Sequence, residues 1–249
     1  MRFLVVGEVC QDVFIYGKCE RLSPEAPVPV FQPISQTKNR GMAGNVADNL
    51  RSIININTEP FVCDEWLSID GIIKTRYVDK KSNHIFLRVD IDEMVTPFVF
   101  TQSFANLSLQ ADVIIVSDYG KGFLSKQDLL DIADSPAICM LDSKKKLDKD
   151  ILEAYDFVKL NEYEANSSAE IIKDYPEKVI ITMGSKGTLY NTNTYPVEEV
   201  ETIDVSGAGD TFMAALAFVY CKTKNIVSAI LYANQMASRV VRKRGVSIV

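Results

Sequence analysis

The sequence predicts an α/β fold: a mostly parallel sheet flanked by helices on both faces, carrying a small β-sheet lid. Three observations predict it. From residue 111 onward, short buried apolar runs alternate with helix-patterned segments, which implies parallel strands joined by right-handed crossovers. Before that, four short β-rich segments lie among Gly, Pro and Ser residues, enough for a separate small sheet. The 249 residues, 47% apolar and 24% charged, suffice to bury a substantial core. No linker, repeat or low-complexity stretch divides the chain. Residues 1–249 are therefore expected to form one domain, with lid strands inserted at about 12–34 and 72–92.

Taken in order, residues 2–7 are an apolar run ending in glycine, the pattern of a buried parallel strand. Segments 13–16 and 28–31 are β-rich, and the prolines favour edge or lid strands over a central sheet. Gly41-Met-Ala-Gly-Asn45 opens a helix that reaches Leu50. Segments 72–79 and 84–92 alternate well enough for a hairpin turning at 80–83. Further strands are predicted at 113–116, 137–141, 157–160 and 178–182. Helices are predicted at 125–133, 151–155, 162–174, 210–221 and 226–241, and 189–191 and 197–200 read as antiparallel edge strands. Ligands of such sheets sit beyond the carboxyl ends of the strands. Ser117, Asp118, Asp142, Asn161 and Thr182 fall at those ends.

Composition excludes several classes. The net charge of −6 disfavours a nucleic-acid surface, and the basic runs at 144–146 and 242–244 are too short to reverse that. Five cysteines, Cys10, Cys19, Cys63, Cys139 and Cys221, lie far apart without a Cys-x-x-Cys pair, and His84 is the single histidine. They read as reduced structural thiols and a surface or strand imidazole, with no zinc site. The N-terminus enters a strand at once without a basic-then-apolar leader, and no apolar run approaches the ~20 residues that span a bilayer. A cytoplasmic protein without nucleic-acid or membrane partners is expected.

The stretch at 204–212, Asp-Val-Ser-Gly-Ala-Gly-Asp-Thr-Phe, carries the chemistry. A Gly-Ala-Gly turn leads into an apolar helix whose first N–H groups lack intrahelical acceptors, and the helix dipole adds about half a positive charge there. Small residues leave those amides open to a phosphate. Asp210 on the first turn is repelled by such a phosphate, so it needs a task. Taking a proton from an attacking hydroxyl is one. No Gly-x-Gly-x-x-Gly follows the first strand and no Gly-x₄-Gly-Lys-Ser/Thr occurs, which disfavours a dinucleotide fold and a P-loop.

Asp-Val-Ser-Gly-Ala-Gly-Asp resembles the C-terminal signature of the PfkB (ribokinase-like) carbohydrate kinases, usually Asp-Thr-x-Gly-Ala-Gly-Asp. Gly7-Glu-Val-Cys-Gln-Asp12, Ser-Pro-Glu-Ala-Pro-Val-Pro-Val at 23–30 and Gly41-Met-Ala-Gly-Asn45 resemble the heptose 7-phosphate kinase branch of that family, the kinase half of a bifunctional enzyme. So do Lys74-Thr-Arg76, Leu87-Arg-Val-Asp90, Val116-Ser-Asp-Tyr-Gly-Lys-Gly122, Asp142-Ser-Lys144, Asn161-Glu-Tyr-Glu164 and Ala233-Asn-Gln-Met-Ala237. The likeness runs in order over nearly the whole chain.

The resemblance implies a ribokinase-like fold and an ATP- and Mg²⁺-dependent phosphorylation of a sugar phosphate, with homodimerisation through the lid. Asp210 is then the general base, and Gly207, Ala208 and Gly209 the amide nest for the transferred group. Asp12, Gly41, Gly44 and Asn45 would contact the sugar, although close helix–sheet packing explains the glycines nearly as well. Arg76, Arg88 and Lys144 would hold the phosphate already on the sugar, or stand as solvated charges. Asp118 would face substrate or ATP. Thr182, Gly184 and Gly187 resemble the nucleotide turn, with Asn234 and Ala237 beside the adenine. Asn161 and Glu164 would arrange Mg²⁺ and its waters; taken alone they are a helix capping box. Asp204, Ser206 and Ser247 lie where many of these kinases hold a monovalent cation such as K⁺.

The sequence departs from this family in three places. Met42 stands where a glycine is usual, Glu8 where an aspartate is usual, and only about twenty residues join Leu50 to Ile72, where the branch places a further strand–helix unit. The stretch 53–70 reads as its compressed remainder, and residues 1–249 match only the kinase half of the bifunctional enzyme. The leading expectation is phosphorylation of the anomeric hydroxyl of D-glycero-β-D-manno-heptose 7-phosphate to the 1,7-bisphosphate. A kinase of another sugar, sugar phosphate or nucleoside is the alternative, followed by a non-catalytic binding descendant.

Overall fold

Side chains alternate across each strand of the main sheet, and this alternation builds two cores. The computed structural model describes residues 1–69, 71–91 and 95–249. β1 (Arg2–Gly7) leads into two long lid strands, β2 (Val9–Leu22) and β3 (Pro29–Met42). α1 (Ala43–Ile56) and β4 (Val62–Leu67) return to the main body before β5 (Ile73–Asp79) and β6 (Ile85–Ile91) complete the lid. Then come α2 (Gln102–Gln110), β7 (Val113–Asp118), α3 (Lys126–Ala133), β8 (Ile138–Ser143), α4 (Lys149–Ala154) and β9 (Phe157–Asn161). The remainder is α5 (Glu162–Ser167), α6 (Ala169–Ile172), β10 (Val179–Thr182), β11 (Thr188–Tyr190), β12 (Asn193–Tyr195), α7 (Ala208–Thr223) and α8 (Ile226–Val240).

Among the described residues the main sheet has the order β12-β11-β10-β9-β8-β7-β1-β4, parallel from β4 to β10 and antiparallel through β11 and β12. Phe3, Val5, Val113, Ile115 and Met140 face a core shared with α1, α7 and α8. Leu4, Val6, Ile114, Val116 and Leu141 face the opposite core, covered by α2, α3 and α4. Each fully buried aliphatic side chain contributes about 1.5–3 kcal/mol, so these alternating rows fix both register and layering. The lid sheet, β3-β2-β5-β6, stands apart and touches the body through Phe14, Tyr16, Val78 and Val246.

Several elements differ from the sequence reading. The segments read at 13–16 and 28–31 are parts of 14-residue strands, because β2 and β3 pair along their length across two register shifts. Gly41 and Met42 end β3, so the helix read from Gly41 begins at Ala43. The expected 162–174 helix is interrupted at Ser168, which ends α5. No strand forms at 197–200; the outer edge strand is β12 instead, and Val197 and Val200 line a cavity. α2 was not foreseen, since only Phe104 and Ser108 of its nine residues are buried. In the shortened region the strand survives as β4, paired parallel to β1, while no crossover helix follows it before β5 among the described residues. Residues 70 and 92, which ended two of the sequence-read segments, lie outside the described residues.

Met42 carries a specific strain. It sits at φ 58°, ψ −134° at the turn from β3 into α1, a region that favours glycine. Its side chain is buried beside Cys10 and Ile72 in the second core, and that packing offsets a backbone cost of about 1–3 kcal/mol.

Candidate active site

Asp210 lies on the first turn of α7 and is buried. Gly207 precedes it in the left-handed region, φ 80°, and a Cβ there would meet Asn45 Nδ2 at 2.6 Å. Glycine is required on both counts. Asn45 Nδ2 donates to Asp210 Oδ2 at 2.9 Å, and the Tyr119 hydroxyl donates to Oδ1 at 2.9 Å. Asn49 extends the network, donating to Asn45 Oδ1 at 3.0 Å and accepting from Thr211 Oγ1 at 3.0 Å. Burial pushes the Asp210 carboxyl up to about 6, with the Asp142 charge adding to it, while Asn45, Tyr119 and Lys159 restrain the rise. A carboxylate poised near neutral pH suits proton abstraction.

On the other side of the same turn, Ala208 and Gly209 border a cavity of about 650 Å³. Thr182, Gly184, Gly187, Asn234 and Ala237, read from the sequence as nucleotide residues, line it as well. Gly187 has φ 92°, and a Cβ there would strike Tyr195 O at 2.1 Å. Asn234 Nδ2 donates to Tyr195 O at 3.0 Å and its Oδ1 accepts from Thr188 Oγ1 at 2.7 Å, so it also ties α8 to the β11–β12 hairpin.

Asn161 and Glu164 form the reciprocal capping box at the start of α5: Glu164 N donates to Asn161 Oδ1 at 2.8 Å and Asn161 N to Glu164 Oε2 at 2.8 Å. Glu164 Oε1 also accepts from Asn161 Nδ2 and from Lys144 Nζ, each at 2.7 Å. Lys144 Nζ lies 3.5 Å from Asp142 as well. Burial alone would lower the Lys144 ammonium, but Asp142 and Glu164 raise it. Asp118 faces away from this cluster, accepting from Ser143 Oγ at 2.8 Å and pairing with Lys145 at 3.0 Å.

In the lid, Asp12 and Arg76 form a buried pair, and Arg76 stacks 4.9 Å over Phe14. Arg88 makes a two-bond pair with Asp90 at the exposed β6 edge. A Cβ on Gly41 would meet Asp12 Oδ2 at 2.0 Å, whereas one on Gly44 would meet Val9 and Arg40 side chains, a helix–strand packing contact. A second cavity, about 830 Å³, opens beside β3 and the 243–248 segment, reaching Asn45 and lined by Lys38, Lys80, Lys243 and Arg244. Asp204 accepts from Ser206 N at 2.9 Å and Gly245 N at 3.1 Å, joining its loop to the segment where the Ser247 hydroxyl donates to Arg244 O at 3.2 Å.

The family model of the pfkB family carbohydrate kinases matches residues 124–249, just over half of the chain. The chain belongs to the pfkB family. The bifunctional protein HldE of Aliarcobacter butzleri is 31% identical over 290 aligned residues, covering 97% of this chain and 61% of that protein. The chain thus spans about three-fifths of the length of the curated relatives it matches. Arabidopsis thaliana ribokinase, solved with ribose and ATP, superposes with a TM-score of 0.69 at 14% identity, covering 98% of this chain and 93% of that one. Escherichia coli phosphofructokinase-2, solved with potassium, gives 0.68 at 14% identity, covering 100% and 94%. The fold is ribokinase-like, and the pfkB family makes this chain a carbohydrate kinase.

Three residues of this pfkB site were not read as site residues. Lys159 is buried in β9, 2.7 Å from Asp142, and its Nζ would lie 3.0 Å from a Cβ on Gly209. A lysine interrupting the apolar run 157–160 is a legible signal, because a buried ammonium requires a partner. Burial works to raise Asp142, yet Lys159 and Lys144 hold its carboxyl below the usual range. Tyr119 sits inside a quoted motif but reads as an ordinary aromatic; its ring lies between Lys74 and Lys144, 5.4 and 5.3 Å from the ammonium groups. Glu8 stood out only as a departure from the family pattern.

Proposed function

We propose that this pfkB-family kinase transfers the γ-phosphoryl group of ATP to the anomeric hydroxyl of D-glycero-β-D-manno-heptose 7-phosphate, as in precursor synthesis for ADP-heptose and lipopolysaccharide core. The observation that carries the phosphoryl-transfer reading is the α7 turn: Ala208 and Gly209 border the cavity of the nucleotide residues, and Asp210 one residue later is a buried carboxyl pushed up to about 6. Phosphoryl transfer asks for positioning and electrostatic stabilisation. Asp210 accepts the hydroxyl proton, the amides of the turn face the migrating phosphoryl group, and Lys144 and Lys159 bring positive charge to the same side.

The donor set fits an ion held mainly through water. No group of three or more His, Cys, Asp or Glu side chains gathers among the described residues, and Glu164 already accepts from Asn161 and Lys144. Mg²⁺ keeps most of its waters and binds through one or two carboxylates plus phosphates, so Glu164 with Asn161 suits it. The ion would neutralise charge on the phosphate oxygens. For K⁺ we propose the loops of Asp204, Ser206 and Ser247, a reading supported by likeness to a fold relative solved with potassium.

The heptose phosphate reading rests on the resemblance of the 7–49 motifs and on the HldE relatives. Cations at Arg76, Arg88 and Lys144, and at the cleft of Lys38, Lys80 and Arg244, suit a substrate that already bears a phosphate. Asp12, Gly41, Gly44 and Asn45 are proposed to face its hydroxyls, and Asp118 to order the strand-end loop beside them. The absence of a helix between β4 and β5 among the described residues favours a second reading, a kinase for another sugar, sugar phosphate or nucleoside. We also propose a cytoplasmic homodimer joined through the lid, since β6 presents Ile85, Leu87, Val89 and Ile91 to solvent along a sheet edge. ADP release measured across heptose 7-phosphate, other sugar phosphates, free sugars and nucleosides tests the function. Preference for heptose 7-phosphate is the expected result; preference for another acceptor selects the second reading, and no turnover on any acceptor contradicts both.

A further inference from the structure

Glu8 is a fully buried carboxylate at the end of β1. It accepts the backbone N–H of Tyr119 at 2.7 Å on Oε2, and on Oε1 those of Lys121 at 2.9 Å and Phe123 at 3.4 Å. Gly7 lets β1 come this close to β7, because a Cβ there would lie 2.0 Å from Ser117 O. Burial, with the Asp118 charge adding to it, raises the Glu8 carboxyl above its ordinary value while the Tyr119 and Lys121 amides oppose the rise, so holding this side chain here is costly. The loop it clamps, 119–123, delivers the Tyr119 hydroxyl to Asp210 Oδ1 at 2.9 Å.

We propose that Glu8 and Tyr119 form a positioning relay for the phosphoryl-transfer base: Glu8 fixes the 119–123 loop, and the Tyr119 hydroxyl fixes one oxygen of Asp210. The relay rests on the reading of Asp210 as the base. With Asn45 holding Oδ2 from α1 and Tyr119 holding Oδ1, the carboxylate plane is set from two elements. The proton from the sugar must then arrive at a lone pair that neither donor occupies, which defines where the hydroxyl sits. Tyr119 stays protonated, as burial and the Asp210 charge push its phenol well above 10, so it acts as a donor and not as an alternative base. It also favours the ionised form of Asp210, because its hydrogen bond is to the charged carboxylate. The other titratable groups facing Asp210 are Asp142 on β8, Lys144 just beyond it, Lys159 on β9 and Cys10 on β2. All of these remain in the variants below.

The test is a pH titration of Asp210 in Tyr119→Phe, Glu8→Gln and the double variant. It is read by carboxyl-¹³C NMR, with the signal assigned by its loss in Asp210→Asn, and in parallel by the acid limb of kcat/KM. Tyr119→Phe is expected to raise the midpoint by about one pH unit, the size of a hydrogen bond to a charged group. Glu8→Gln turns one acceptor of the amide cradle into a donor; it should move the midpoint in the same direction and add little in the Tyr119→Phe background. An unchanged midpoint in Tyr119→Phe overturns the proposal. So does a Glu8→Gln effect confined to melting temperature, or one fully additive with Tyr119→Phe. Should Glu8→Gln not fold, Tyr119→Phe with Lys121→Pro, which removes one amide of the cradle, supplies the same cycle. Because the NMR midpoint needs no turnover, the relay and the base assignment fail separately: activity retained in Asp210→Asn removes the base, whereas an unshifted carboxyl removes the relay.

Discussion

At Asp210 a carboxyl with an ordinary value of 3.8 is pushed up to about 6 by burial, while Asn45 and Tyr119 hold its two oxygens. The native state therefore binds this proton more tightly than the unfolded chain. Above pH 6 the ionised, buried form lowers stability by up to about 3 kcal/mol, and below about pH 4, where both states are protonated, the penalty disappears. Asp210→Asn keeps the shape and removes the charge, so it should melt above the unsubstituted protein at pH 8. The gap should close as pH falls from 6 towards 4, as read by calorimetry across that range. A variant that melts lower at pH 8 would contradict the burial account. On the proposed function, this is a stability cost retained for catalysis. Asp210 and its glycines were legible because they are contiguous in the chain. Lys159 is marked in the sequence as a lysine inside an apolar run, but its partner Asp142 and its place beside Gly209, like the contact of Tyr119 with Asp210, arise only when the strand ends and α7 converge.

The elements legible from sequence are those with both faces buried: β1, β7 and β8 each carry unbroken apolar runs matched to the two cores. Weakly buried elements were the ones misread. α2 carries too few buried residues to show a helical period, and the valines at 197 and 200 mimic a strand pattern although they line the cavity beside Ala208 and Gly209. The lid strands were underestimated because pairing partners, not local propensity, set their length. β6 is the lid element with the clearest consequence. Its exposed Leu87 and Val89 alternate with the Arg88–Asp90 pair along an open edge. Leu87→Glu combined with Val89→Lys should convert a dimer into a monomer in size-exclusion chromatography with light scattering, with little change in melting temperature. A monomer before substitution, or a dimer that survives it, would refute lid pairing.

Across the whole molecule, the proposed function assigns the reaction centre to the body and substrate contacts to the lid, and the two depart from the family pattern differently. The body carries the Gly-Ala-Gly-Asp turn, the Asn161–Glu164 capping box and the cavity bordered by Ala208 and Gly209. The lid side carries a strained Met42, and no helix stands between β4 and β5 among the described residues. The most direct test of the central claim is phosphoryl transfer from ATP by Asp210→Asn on the best acceptor, with ATP affinity measured alongside by calorimetry. The account predicts turnover reduced by about 10²–10⁴-fold, the usual contribution of a general base, with ATP binding nearly unchanged. Turnover within a few-fold of the unsubstituted enzyme would contradict it.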